Sequence, residues 1–326
     1  MRLIGLELTR LRWRRAVVVL LGGCVLVGAV ILGGTAWDTR PVSASELAAA
    51  EELVEQEMGR RYMQRQLAEC EERPRRFGVS DAEQCVAAIA PQVDWYVSRQ
   101  PLQLWVAMRA QGVGLVTVLM GLLMLVGTTF VGADWSSGSM SNQLLFEPRR
   151  ARIWLSKAGA VLGLALLAST AVLAAFWGGM ALLARMRGID VPPEVPGMIA
   201  AASGRAVLLV GAAAVGAYAV TMLSRSTVFT LGAMFAVVVG ATVVMALLGV
   251  SEAWFPNKNL GAVLWNGTQY YVEPPPSCFD RGRPEPGVDC SGLRDLSLAT
   301  GARNLGVLLL ATCAASLWSF RRRDVP

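Results

Sequence analysis

Histidine occurs nowhere in the 326 residues. That absence removes Ser-His-Asp triads, Cys-His nucleophiles and imidazole metal ligands from consideration. Lysine is nearly missing as well, with Lys157 and Lys258 the only two. Neither follows a glycine and no G-x-x-x-x-G-K-[ST] run exists, so the chain has no phosphate-cradling loop and any ATP must be hydrolysed by another chain. Charge is sparse: Asp, Glu, Lys and Arg make up 17%, against about 25% in soluble domains. In their place stand 54% hydrophobic residues and 33 glycines, well above the apolar share of roughly 45–50% usual in soluble chains. This is the composition of an integral membrane protein.

A helix crossing the roughly 30 Å hydrocarbon layer needs about 20 apolar residues, because lipid offers an open backbone group no partner. Six stretches qualify: Ala16 to Ala36, Trp105 to Gly132, Ala158 to Ala184, Ala206 to Leu223, Thr227 to Val250 and Asn304 to Phe320. The fourth and sixth are short and need Arg205 and Arg303 to reach the interface. The expected fold is all-α and polytopic, with six transmembrane helices. An even count puts both termini on one side, and basic residues in short loops choose the side. Segments 1–15 and 133–157, the turn at Arg225 and the tail 321–326 hold 13 basic and four acidic residues; the rest of the chain holds 17 and 20. Both termini are therefore expected in the cytoplasm of a bacterial cell, with the chain in its inner membrane and loops 37–104, 185–205 and 251–303 outside.

Ala16 to Ala36 exceeds the apolar core of a cleaved signal peptide, so an uncleaved anchor is expected. Leu21-Gly22-Gly23-Cys24 resembles a lipoprotein box only superficially, since the ten positions after it stay apolar. Residues 1–15 interleave Leu3, Ile4, Leu6, Leu8, Leu11 and Trp13 with Arg10, Arg12, Arg14 and Arg15. That pattern predicts an amphipathic helix lying in an anionic leaflet.

Cys24 and Cys313 fall within spans and read as packed apolar side chains. Cys70, Cys85, Cys278 and Cys290 lie in the outer loops, where an even set argues for disulfides. Three pairings are possible; the local ones, Cys70 with Cys85 and Cys278 with Cys290, are favoured. Their spacings match no C-x-x-C metal pattern. Ser43 to Glu69 predicts one helix, with Leu47, Val54, Met58, Tyr62 and Leu67 at helical spacing. After a turn at Pro74, Ser80 and Glu83 suggest a capping box opening a second helix, giving a disulfide-stapled extracellular helical hairpin. In the other long loop, Trp254, Phe255, Trp265, Tyr270 and Tyr271 suggest an interfacial segment stiffened by Pro274 to Pro276 and by Pro284 and Pro286.

The six stretches hold no acidic residue, and Arg109 is their one charge. Proton-driven carriers place ionisable groups inside the bilayer, so energy is expected to enter from outside it. Glycine and alanine crowd the third to fifth stretches, as at Gly211 to Gly216 and Gly232 to Gly240, which favours close helix packing.

The most patterned segment is the inner one, Ala133 to Lys157. Ser137 to Leu145 predicts a short helix with Met140, Leu144 and Leu145 on one face, ended by Pro148. Arg149, Arg150, Arg152 and Lys157 follow and pin the next span. Such a rigid element can pass a push from a soluble partner to the spans it joins; a merely solvated basic loop is the plainer alternative.

This segment resembles the signature of the type 2 ATP-binding-cassette (ABC) exporter permeases, carried here by Asp134, Gly138-Ser139, Leu144-Leu145, Pro148, Arg149, Arg150, Arg152 and Lys157. The family more often has Glu where Asp134 stands. The likeness extends to the N-terminal helix, the six spans and the turn Leu223 to Thr227, but not to the cysteine-bearing loops. It implies a permease subunit, not itself an enzyme, that pairs with a second permease chain and two separate ABC ATPase subunits. These would dock on Asp134, Trp135, Ser136, Gly138, Ser139, Gln143, Leu144, Pro148, Arg149, Arg150, Arg152 and Lys157, with Arg225 in a second inner turn. The chain itself would bind no cofactor, ATP and Mg being held by the partner, and no nucleic acid. Its cargo would be an amphipathic drug, antibiotic, peptide or lipid. The alternatives are a non-transporting membrane sensor or immunity protein whose outer domain binds a ligand, and a secondary carrier.

Overall fold

The computed structural model describes residues 2–97, 99, 101–278 and 289–322. Pro284, Pro286, Arg323 and Asp324, given roles above, lie outside the described residues. Helix dominates. In chain order come α1 (Arg2–Trp13), α2 (Arg15–Asp38), α3 (Ala44–Met58), α4 (Arg61–Glu72), α5 (Gln84–Ile89), α6 (Val93–Tyr96) and α7 (Leu104–Ala107). A π turn, Met108–Gly112, leads into α8 (Val113–Ser136), followed by α9 (Ser139–Phe146), α10 (Arg150–Met186) and α11 (Glu194–Ser224). Then come α12 (Thr227–Phe235), a second π turn (Ala236–Gly240), α13 (Ala241–Leu247) and α14 (Pro256–Trp265). Strands β1 (Thr268–Tyr271) and β2 (Leu293–Leu296) form an antiparallel pair with Thr268 opposite Leu296, and α15 (Leu298–Arg322) closes the described chain.

Among the described residues five helical segments are long and apolar enough to cross a membrane: Arg15–Asp38, Leu104–Ser136, Arg150–Met186, Glu194–Ser224 and Leu298–Arg322. The fifth expected stretch, Thr227 to Val250, is helical only as α12, π turn and α13. A π turn is one extra residue taken into an α-helix. Here each π turn ends on a glycine, Gly112 or Gly240.

By contact the chain divides into two units, one of residues 1–30, 108–179 and 192–326, the other of 31–107 and 180–191. In the second, the single helix expected from Ser43 to Glu69 is two helices, broken at Arg60, whose backbone turns extended just after the Gly59 N–H makes the last helical hydrogen bond of α3. Glycine is the weakest helix former after proline. The capping box expected at Ser80 is found at Ser43 instead: the Glu46 N–H donates to Ser43 Oγ at 3.3 Å and the Ser43 N–H to Glu46 Oε2 at 2.9 Å. Both sites carry the same S-x-x-E spacing, but Ser80 is bonded to Asp81, and Asp81 accepts from the Gln84 N–H. The apolar stripe is also displaced. Leu47 and Tyr62 are exposed, and the inward face is formed by Met63, Leu67 and Cys70. Cys70 is joined to Cys85, the local pairing.

In the larger unit α8 and α11 form the spine. Leu115, Leu119, Leu123, Val126 and Phe130 of α8 are buried, as are Ala206, Val210, Ala214 and Ala217 of α11. In lipid, burying a leucine gains nothing from water exclusion, so close packing decides the contact. A Cβ on Gly127 would stand 2.6 Å from the Ala214 carbonyl oxygen, and one on Gly132 2.0 Å from Thr227 Oγ1. Those two glycines set the approach of α8 to α11 and α12. The second disulfide joins Cys278 to Cys290, again locally.

Candidate functional site

At its C-terminal end α8 runs on past the apolar stretch to Ser136, so Asp134 is helical and 1% exposed. This corrects the expectation that the span stops at Gly132 ahead of a polar loop. Ser137 and Gly138 then turn the chain, with Gly138 at φ 66. Space around Gly138 is open, so the left-handed backbone and not crowding selects glycine; an L side chain there costs roughly 1–2 kcal/mol. Beyond this turn α9 leaves in a new direction.

Asp134 is the centre of a buried charge cluster. It accepts from Lys157 Nζ at 2.5 Å, from Ser139 Oγ at 3.0 Å, and from the Arg14 guanidinium. Lys157, 0% exposed at the start of α10, also donates to Glu7 Oε2 of α1 at 3.1 Å. Arg14, at the α1–α2 junction, donates its second nitrogen to the Phe130 carbonyl at 2.6 Å. Both cations lie 4.9 Å from the centre of the Phe130 ring, where its π face attracts positive charge. Two cations and two carboxylates thus balance, and each finds a charged partner. Such a cluster holds its members in one geometry, because an unpaired buried charge is the costly alternative.

Around this centre the remaining residues separate. Trp135 packs edge-on against Phe320 at 6.2 Å and is capped by the Arg225 guanidinium at 4.7 Å. Arg225 itself ends α11 with φ 56. Arg150 Nη1 donates to the Phe320 carbonyl at 3.3 Å, meeting the otherwise open C-terminal carbonyls of α15. Trp154 Nε1 donates to Ser316 Oγ at 3.1 Å, and Tyr218 donates its hydroxyl to the Trp154 carbonyl at 2.9 Å. Ser136 and Ser137 donate back to the Ala133 carbonyl and finish α8.

On α9, Met140 is buried and Gln143 and Leu144 are half-buried. Leu145, expected on the same face, instead stands 80% exposed beside Phe146 at 91%. The 100° step of a helix explains this: Leu144 follows Met140 by one turn, whereas Leu145 is rotated away. After Pro148, Arg152 Nη1 donates to Glu147 Oε2 at 2.9 Å, and this holds the Glu147 carboxyl below its ordinary range, helped by the Arg149 N–H.

The structure therefore brings together Asp134, Ser139 and Lys157, and separately Trp135 and Arg225, while Arg149 and Pro148 stay at the surface. Sequence reasoning missed Glu7, Arg14, Trp154, Tyr218 and Ser316. One signal was available: Glu7 is the only acid among the basic residues of the first helix, and Lys157 is one of two lysines. Among the described residues no group of three or more Cys, Asp or Glu is placed to hold a metal ion. Comparison with protein-family models, with curated proteins and with solved structures finds no match to this chain.

Proposed function

We propose that this chain is the membrane permease subunit of an ABC exporter. In this reading α12, its π turn and α13 act together as the fifth of six spans; their 21 residues reach about 32 Å at 1.5 Å each. The termini and α9 then face the cytoplasm of a bacterial cell, α1 lies along the inner leaflet, and the loops closed by the two disulfides face outward as a stapled helical cap. Disulfides persist on the oxidising side, which supports that orientation.

The observation that carries the proposal is the contrast within α9. Its root is fastened by the Asp134–Lys157 cluster, and its tip presents Leu145 and Phe146 exposed among the described residues. A rigid root with an apolar tip suits a helix that fits a groove on a soluble partner and passes motion on. The partners are two ATPase subunits, which hold ATP and Mg, and a second permease chain. ATP-driven closure of the ATPases rocks the bundles and moves an amphipathic drug, antibiotic, peptide or lipid outward.

The test is co-purification of this chain with an ABC ATPase from its own cells. Leu145→Asp with Phe146→Asp is expected to abolish that association and ATP-dependent efflux while leaving the unfolding temperature unchanged. Retained association, or surface labelling that puts α9 outside the cell, would refute the proposal.

A further inference from the structure

At the opposite end of α8 an open cleft with about 20 Å³ of enclosed space lies among the first π turn, α8, α10, α11 and α14. Its wall is apolar, with Leu173, Ile199 and Leu264 and two tryptophans, Trp177 and Trp265; no carboxylate lines it. Arg109 lies over the Trp265 ring at 5.7 Å. Arg205 precedes the lining residue Ala206 on α11, about 60° round the helix from Ala202, which also lines the cleft. Among the described residues neither arginine is in an ion pair. Arg205 Nε is buried without a hydrogen-bond partner, and so is Gln111 Oε1 in the π turn.

A buried donor without a partner is costly, and more so on a charged group. The fold thus sets a half-buried arginine with an unpartnered nitrogen, an exposed arginine stacked on Trp265 and one open acceptor around an apolar cleft. We propose that this cleft binds an anionic phospholipid, one acyl chain lying against the tryptophans and the phosphate held by Arg109 and Arg205. The enclosed space is far below the roughly 300–1,000 Å³ of sites that surround a drug-sized molecule, so a chain would lie along an open groove with its head outside. Gln111 leaves an acceptor, which a hydroxyl-bearing head such as that of phosphatidylglycerol satisfies. The proposal is independent of transport, since it requires only that the chain reside in a bilayer.

The test measures lipid retained by the purified full-length chain in detergent, by native mass spectrometry. Phosphatidylglycerol and phosphatidylcholine of identical chains are offered together, and in a second arm phosphatidylglycerol competes with inorganic phosphate. Phosphatidylglycerol is expected to be retained about tenfold over phosphatidylcholine. Arg109→Gln with Arg205→Gln removes that preference, and Arg205→Lys keeps most of it. Ala202→Trp, which fills the cleft, removes retention with both arginines in place. Leu173→Trp supplies the same block from α10 if the first variant is not monodisperse. Equal retention of the two lipids, or a preference that survives either the double substitution or the filled cleft, would overturn the proposal. Displacement by phosphate alone would assign the arginines to a free anion and overturn it equally.

Discussion

The two ends of α8 treat charge in opposite ways. At Asp134 three buried ionised side chains, Asp134, Lys157 and Glu7, and the partly exposed Arg14 neutralise one another. Near Val116, about 27 Å along the helix, the cleft has arginines at its edge and no carboxylate in its wall. That separation is close to the roughly 30 Å of a hydrocarbon layer, and in the proposed reading each set of charges stands near one boundary of it. The closed cluster fixes helices α1, α8 and α10 in a single arrangement. The open one leaves a vacancy for something the chain does not supply. Self-sufficiency marks a structural joint, and an unanswered charge marks a binding site.

The largest effect is expected where the comparison is most easily broken. Lys157→Met leaves Asp134 with Arg14 and Glu7 with only the more exposed Arg10, 3.5 Å away, and removing one partner of a buried pair costs about 3–5 kcal/mol. Lys157→Met with Asp134→Leu leaves Glu7 and Arg14 and restores neutrality. The double variant is therefore expected to lose less than the sum of the two single losses, measured by denaturant unfolding in detergent. Additive losses would mean the four groups do not act as one cluster.

At the cleft the same measurement has the opposite expectation. Arg205→Ala removes a charge that no carboxylate balances, so stability is expected to hold within about 0.5 kcal/mol. A loss as large as that of Lys157→Met would erase the distinction between the two ends. Between these extremes stands Gly138→Ala, which keeps every contact but forces an L side chain to a positive φ. It is expected to cost roughly 1 kcal/mol. Since the open space rules out a clash, a larger loss would mean that the turn has a second constraint.

How much of this was legible in the sequence follows the range of the interaction. Apolar runs long enough to cross a bilayer and the local disulfides depend on neighbours in the chain, and both were readable. Gly138 was expected inside a helix from Ser137 to Leu145 and is instead the turn ahead of α9. The break at Gly59 and the capping box at Ser43 were within reach but misassigned, because S-x-x-E recurs at Ser80 and local pattern alone does not say which copy the helix uses. The charge cluster was not legible. Glu7 and Lys157 are separated by 150 residues, and each has an adequate local reading, one as part of a surface helix and the other as a positive-inside anchor. Only the packing of α1 against the ends of α8 and α10 turns two ordinary charges into a buried pair. The cleft was hidden for the same reason, since Arg109 and Arg205 both read as snorkelling side chains.

The smallest effect sharpens the comparison at a third place, where charge is paired in full contact with solvent. Glu147 accepts from Arg152 and from the Arg149 N–H, and its carboxyl is held below the ordinary value of 4.5. A carboxyl lowered in the folded chain contributes in full above the unfolded value and loses its contribution as pH falls through the folded one. The hinge between α9 and α10 is therefore expected to be firm at neutral pH and to loosen only below about 4.5. Amide exchange at Arg149 checks this: protection should fall in that acid window, fall further in high salt because the pair is exposed, and be pH-independent in Glu147→Gln. Protection that persists to strongly acid pH would show that the carboxylate is not what holds the hinge. The buried cluster one helix away should by contrast be indifferent to salt, since its charges are shielded by protein and not by ions.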